Sequence, residues 1–83
     1  MVAASPRLSD TVGAIDRLEV LRIRHADGAR DICAAQMLVL TTCVQDIVEE
    51  SIGLVADREI ARDRIGHLLT YWTGVVTEAD HEG

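Results

Sequence analysis

Two cysteines, Cys33 and Cys43, are the residues of this sequence that could serve as nucleophiles or as soft metal ligands. They lack the close Cys-x-x-Cys spacing of zinc sites. On one helix their separation of ten residues corresponds to about 15 Å along the axis, which is beyond the reach of a disulfide. Cys43 has no adjacent His that could convert its thiol to a thiolate. The sequence therefore predicts two buried, free and unreactive thiols.

Carboxylates and histidines form only two pairs at ligand-like spacing. Glu78 and His81 make one Glu-x-x-His motif, whereas carboxylate-bridged di-iron bundles use two such motifs. Asp63 and His67 lie one helical turn apart and could share a cation, although a surface hydrogen bond or salt bridge is the favoured interpretation. No Gly-rich phosphate-binding loop is present. We expect no catalytic residue, no metal and no cofactor.

The formal net charge of −6 lies entirely in residues 44–83, because the acids and arginines of residues 1–43 balance. Such a chain repels phosphate backbones, so we expect no nucleic-acid binding, while a basic protein would be a suitable partner. One basic cluster is expected to pair with the acidic second half of the same or a neighbouring chain. It comprises Arg17, Arg22, Arg24, His25 and Arg30.

The elements that position these residues are predicted to be helices. Aromatic residues make up 2% of the chain, so a core must be built from aliphatic side chains, which favours helix-on-helix packing. We predict one all-α domain over residues 1–83, with a flexible leader at 1–8 and a flexible acidic tail at 78–83. The helices are predicted near 9–25, 29–53 and 57–77, with Ser9 as the first N-cap and a turn at Asp27–Gly28.

Residues 18–24 allow a second interpretation. The segment 21–24 alternates apolar and charged residues with period two, as in a half-buried strand, but residues 18–20 follow the opposite phase. We favour helix for this segment.

The second predicted helix is unusually apolar. Twelve of the seventeen residues in 32–48 are apolar, which is more than the single stripe of a surface helix, so neighbours must cover it on two or more sides. Its uncharged stretch, 32–45, is too short to span a bilayer, and residues 1–7 hold no apolar targeting segment. We expect no membrane association and a cytoplasmic location. Glu49 and Glu50 lie near its carboxyl end, where the helix dipole disfavours them.

A heptad-like spacing runs without a break from Cys33 to Val75. In one architecture the chain turns at Gly53–Asp57, Asp57 caps the third helix, and three helices form a bundle. In the other, one coiled-coil-like helix runs over 31–77 after a short helix or strand. We favour the turn.

A chain this small and this apolar is expected to assemble as a homodimeric helical bundle. The residues expected to form its core and interface are Cys33, Met37, Leu40, Val44, Ile47, Ile65, Leu68 and Trp72. The expected function is a non-enzymatic regulatory or accessory subunit that interacts with other proteins. Two alternatives are an acidic, antitoxin-like inhibitor of a basic partner and a small enzyme with an Arg-lined site that includes Arg58 at a dimer interface.

Overall fold

The computed structural model describes residues 6–82, and for residues 80–82 it describes the backbone alone. These residues form three α-helices: α1 spans Leu8–Ala26, α2 spans Ala34–Glu50 and α3 spans Val55–Glu82. No strand occurs in this part of the chain, so residues 18–24 are helical as predicted. The chain turns between α2 and α3, which confirms the favoured architecture and rules out one continuous helix over 31–77.

The helix ends differ from the predicted ones where tertiary contacts intervene. α1 begins at Leu8 rather than after Ser9, and its N-cap is Arg7, whose side chain makes no capping hydrogen bond. The backbone of Leu8 donates to the carbonyl of Ile52, and Ile52 donates to the carbonyl of Pro6, each at 3.0 Å. This short bridge ties the start of α1 to the α2–α3 turn. Residues 6–8 of the predicted leader are therefore anchored, and residues 1–5 lie outside the described part.

The connection between α1 and α2 is longer than predicted. The turn at Asp27–Gly28 forms as expected, and Gly28 has a φ of 101°, which favours glycine. Residues 29–33 are not helical, and α2 begins at Ala34 instead of near Ala29. At the other end, α3 continues to Glu82, beyond the predicted end near residue 77. The backbone of the predicted tail is thus helical through Glu82.

The core lies where one stripe of each helix meets the other two. α1 contributes Leu8, Ile15 and Leu18, α2 contributes Met37 and Val48, and α3 contributes Ala61, Ile65, Leu68 and Trp72. The α3 residues follow the predicted 4-3-4 spacing, which keeps them on one helix face. Trp72 is fully buried, and its ring lies 5.1 Å from that of His25, measured between centroids.

Three buried hydroxyl side chains have hydrogen-bond partners, and one of these contacts joins α1 to the end of α2. The Thr41 hydroxyl donates to the carbonyl of Met37 at 2.6 Å, within α2. The Ser51 hydroxyl donates to the carbonyl of Ile47 at 2.6 Å, and it lies 3.3 Å from the hydroxyl of Thr11 on α1. Because buried hydroxyls need hydrogen-bond partners, these contacts remove most of the cost of burying them.

Gly53 allows the close approach of the α2–α3 turn to α1. A Cβ atom placed on Gly53 would lie 2.8 Å from the Cβ of Leu8, which is shorter than van der Waals contact allows. Leu8 is itself buried in the core and has little room to shift. The absence of a side chain at Gly53 is therefore required by packing.

We expect Gly53→Ala to destabilise the protein by about 1–3 kcal/mol, because the added methyl group overpacks the contact with Leu8. The matched control is Gly66→Ala, within α3, where an added Cβ meets nothing within 4 Å. That change should stabilise the protein by about 0.5–1 kcal/mol, since alanine favours helix more than glycine does. Urea denaturation measures both free energies of unfolding. A stabilising Gly53→Ala would contradict this packing.

Candidate interaction surface

The side of α2 that faces away from the core is apolar and exposed. Its residues follow a 3-4-3-4 spacing that places them on one helix face: Cys33, Gln36, Leu40, Cys43 and Ile47. We call this set the outer face of α2. Leu40 is 48% exposed and Ile47 41%, and the adjacent Val39 is 61% exposed. Gln36 is the only residue of the five with a strongly polar side chain.

The predicted core and interface residues divide into two groups. Met37, Ile65, Leu68 and Trp72 are buried inside the chain, and Val44 is partly buried. Cys33, Leu40 and Ile47 point outward. Residues spaced alternately by three and four do not lie on one straight line along a helix. Different residues of the predicted seam can therefore face different sides of α2. α2 therefore has an inner stripe that packs on α1 and α3 and an outer stripe that no described residue covers.

Both cysteines are free and exposed, so the prediction that they are buried is wrong. The expectation rested on the apolar surroundings of both residues and included cover by a second chain. In the structure α1 and α3 cover one side of α2 only. Cys33 and Cys43 both lie on the outer face, where a neighbouring molecule could contact them.

The charges of α2 are confined to its carboxyl end. No charged residue occurs between Asp31 and Asp46. Asp46, Glu49 and Glu50 lie in the last turns of α2, which contain no basic residue. Glu49 is held by Arg62 of α3 in a bidentate ion pair, in which Nε lies 2.6 Å from Oε1. Asp46 and Glu50 are exposed and form no ion pair with any side chain described.

Ion pairs also connect α1 to α3, but the arginine lies on α3 and the acids lie on α1, which is the reverse of the predicted arrangement. Arg64 of α3 donates to Glu19 at 2.7 Å and to Asp16 at 2.5 Å, both on α1. The hydrogen bonds that Arg64 donates to these two carboxylates raise its pKa above the ordinary value. The arginine of this bridge thus comes from the second half of the chain and its acids come from the first half.

Among residues 6–79, the predicted basic cluster does not pair with the acidic side chains of the second half of its own chain. Arg24 binds Asp31 at 3.1 Å, which is a local contact, and Arg22 lies over the Tyr71 ring at 5.6 Å. His25 shares a hydrogen bond of 2.7 Å with the hydroxyl of Tyr71. Arg17 and Arg30 form no ion pair among residues 6–79. The cluster is dispersed because its residues lie on different sides of α1 and on the connection to α2.

The candidate chemical groups are not brought together. Arg58 donates to the carbonyl of Ser51, so it caps the carboxyl end of α2. Asp63 and His67 are exposed, and the hydrogen bond predicted between them is not formed in the described structure. Glu78 is exposed, while the His81 side chain lies outside the described part. No group of three potential metal ligands occurs among the residues described.

A second exposed apolar region lies at the α2–α3 turn. A groove of about 600 Å³ runs between the start of α1 and the start of α3. The exposed apolar side chains that line it are Ile52, Leu54 and Ile60. Sequence reasoning missed this groove because its lining comes from the start of α1, the α2–α3 turn and the start of α3, which only the folded chain brings together.

Comparisons of the chain with protein-family models, with curated proteins and with solved structures find no significant match. Within the described residues, no helix has both the length and the apolar content needed to cross a membrane.

The ion pair between Glu49 and Arg62 generates a prediction about pH. The Arg62 hydrogen bonds lower the pKa of the Glu49 carboxyl, so the pair stabilises the fold above the ordinary Glu pKa of about 4.3. This stabilisation disappears as pH falls through the lower pKa of the folded state. We expect Glu49→Gln to lower the Tm at pH 7 by a few degrees at most, because the pair is exposed.

The difference from the wild-type Tm should shrink as pH is lowered from 7 toward 2, as followed by circular dichroism. Glu50→Gln is the matched control, since the Glu50 carboxylate has no ion-pair partner in the described structure. Its Tm should equal or exceed that of the wild type at pH 7, because Glu50 lies at the negative end of α2. Equal losses in the two variants would show that the Arg62 pair does not stabilise the fold.

Proposed function

We propose that this protein is a non-enzymatic interaction protein, a small regulatory or accessory subunit that acts as a homo-oligomer in the cytoplasm. The observation that carries the proposal is the outer face of α2. Exposed apolar side chains are common one at a time, but contiguous apolar patches on small proteins mark interaction sites. Here Val39, Leu40 and Ile47 form such a patch together with two cysteines.

The energetics of this face support association. Full burial of one aliphatic side chain contributes roughly 1.5–3 kcal/mol, so covering Leu40 and Ile47 would offset much of the cost of bringing two chains together. A chain of 83 residues gains a limited amount of stability from its own core. An interface on α2 would add to that core, because the inner stripe of the same helix is already buried.

The contacts of the arginine side chains of α3 also support a non-enzymatic role. Arg58 was the residue that invited an enzymatic alternative, and Nη2 of its guanidinium donates to the backbone carbonyl of Ser51, while its buried Nε has no partner in the described structure. Arg62 and Arg64 bind carboxylates of other helices. These side chains join elements of the fold, and such contacts explain their positions without a substrate.

A second candidate is an acidic inhibitor that masks a basic protein. Asp57, Glu59 and Asp63 are exposed in the first half of α3 and form no ion pair with described residues. These acids would suit a basic surface. High salt would release a complex held in this way, whereas a complex held by the outer face of α2 would persist.

The test of self-association is a charge placed on the outer face of α2. Sedimentation equilibrium of the wild type is expected to give twice the chain mass of 9.1 kDa at high micromolar concentration. Leu40→Glu should raise the dissociation constant at least tenfold, since a charge would be buried without a partner. Circular dichroism would check that the variant remains helical.

Val20→Glu is the matched control, because Val20 is 56% exposed on α1 and the change adds the same charge. This variant should remain dimeric. A wild type that stays monomeric up to about 200 µM, which corresponds to roughly −5 kcal/mol of association, would overturn the proposal. Equal weakening by both variants would show that the interface is not on α2.

A further inference from the structure

We infer that the occupant of the outer face of α2 is the same face of a second copy, aligned antiparallel, with Cys33 of each copy opposite Cys43 of the other. This inference rests on the proposed self-association and specifies its geometry. A two-fold axis would cross α2 at the level of Leu38, midway between the two cysteines. The same surface then serves both copies, as closed two-fold symmetry requires.

The spacing of the outer face fits a helix pair. Cys33, Leu40 and Ile47 are seven residues apart in succession, with Gln36 and Cys43 between them, as in a two-helix seam. The face is flanked by Val39 and carries no charge over its whole central part. α2 has 17 residues and is about 25 Å long, so this contact is short and we expect a dissociation constant in the micromolar range.

Charge selects the antiparallel direction. Arg30 is exposed just before α2, and Asp46 and Glu50 are exposed near its end. An antiparallel pair brings the segment before α2, in which Asp31 is paired with Arg24 and Arg30 is unpaired among the described residues, to the end of the second α2 that carries Asp46 of the partner subunit, twice in each dimer. A parallel pair would place the acidic ends together, where like charges repel.

The helix dipole favours the same direction. The acids of α2 lie at its carboxyl end, where the dipole is unfavourable, and its first turn contains no acid. An antiparallel neighbour places its amino end beside those acids and so offers them the positive end of its dipole. Arg62 compensates Glu49 within the chain, and a second copy would compensate Asp46 and Glu50.

The charges also select one register. Two antiparallel registers keep the seam residues in contact. In the first, Cys33 lies opposite Cys43 of the partner subunit and Arg30 lies level with Asp46 of the partner subunit. In the second, Leu40 lies opposite Cys43 of the partner subunit, and Arg30 lies beyond the end of the partner's α2. Only the first register uses the complementary charges.

Thiol cross-linking tests this geometry. A bismaleimide that spans about 8 Å, close to the separation of packed helix axes, cannot join Cys33 to Cys43 within one chain, where about 15 Å separates them. Treatment of the wild type should yield a covalent dimer on a denaturing gel. Cys33→Ala alone and Cys43→Ala alone should yield little dimer, whereas an equimolar mixture of the two variants should regain it.

A charge swap provides a second readout. Arg30→Asp and Asp46→Arg should each weaken the dimer about tenfold, because each creates two like-charged pairs. The double variant, and a mixture of the two single variants, should recover the wild-type dissociation constant.

Efficient self-cross-linking of each single-cysteine variant would show a parallel pair and overturn the inference while leaving self-association intact. A sedimenting dimer that gives no cross-link in any combination would also overturn it. A wild type without any dimer would instead contradict the proposed function.

Discussion

The packing of Trp72 between α1 and the rest of the core is the interaction on which the arrangement of the three helices depends. The chain has one Trp, one Tyr and no Phe, so a single indole supplies the largest fully buried volume. Its ring makes edge contacts with the rings of His25 and Tyr71, at 5.1 Å and 4.9 Å between centroids. Because large aromatic side chains bury the most area, this cluster sets the position of α1 on α3.

Ion pairs between side chains also hold the three helices together, in addition to the aromatic cluster. Arg64 joins α3 to two acids of α1, and Arg62 joins α3 to Glu49 of α2. Both arginines project from α3, the helix that contacts each of the others most extensively along its length. α3 is therefore the common support of the fold. α2 contacts it by one side and retains a second apolar side that is free for another molecule.

The exposed outer face follows from this division of α2. A helix with ten apolar residues among seventeen cannot bury all of them against two neighbours that approach from one side. Met37 and Val48 enter the core, while Leu40 and Ile47 remain outside. Glu49 is neutralised within the chain, whereas Asp46 and Glu50 are not. The same helix thus provides core stability and an exposed surface that is uncharged at its amino end and acidic at its carboxyl end.

The sequence by itself determined the all-α class, the three helices, the turn near Gly53 and the buried stripe of α3, because local periodicity and turn chemistry encode these features. It also led to the prediction that α2 is covered on more than one side, which remains a prediction. Only the tertiary structure decided which side of α2 faces inward, and hence that Cys33 and Cys43 are exposed. It also decided that Arg64, rather than the arginines of α1, bridges the two halves. Both outcomes depend on where α1 and α3 approach α2, which distant contacts such as Trp72 with His25 set and which no local pattern contains.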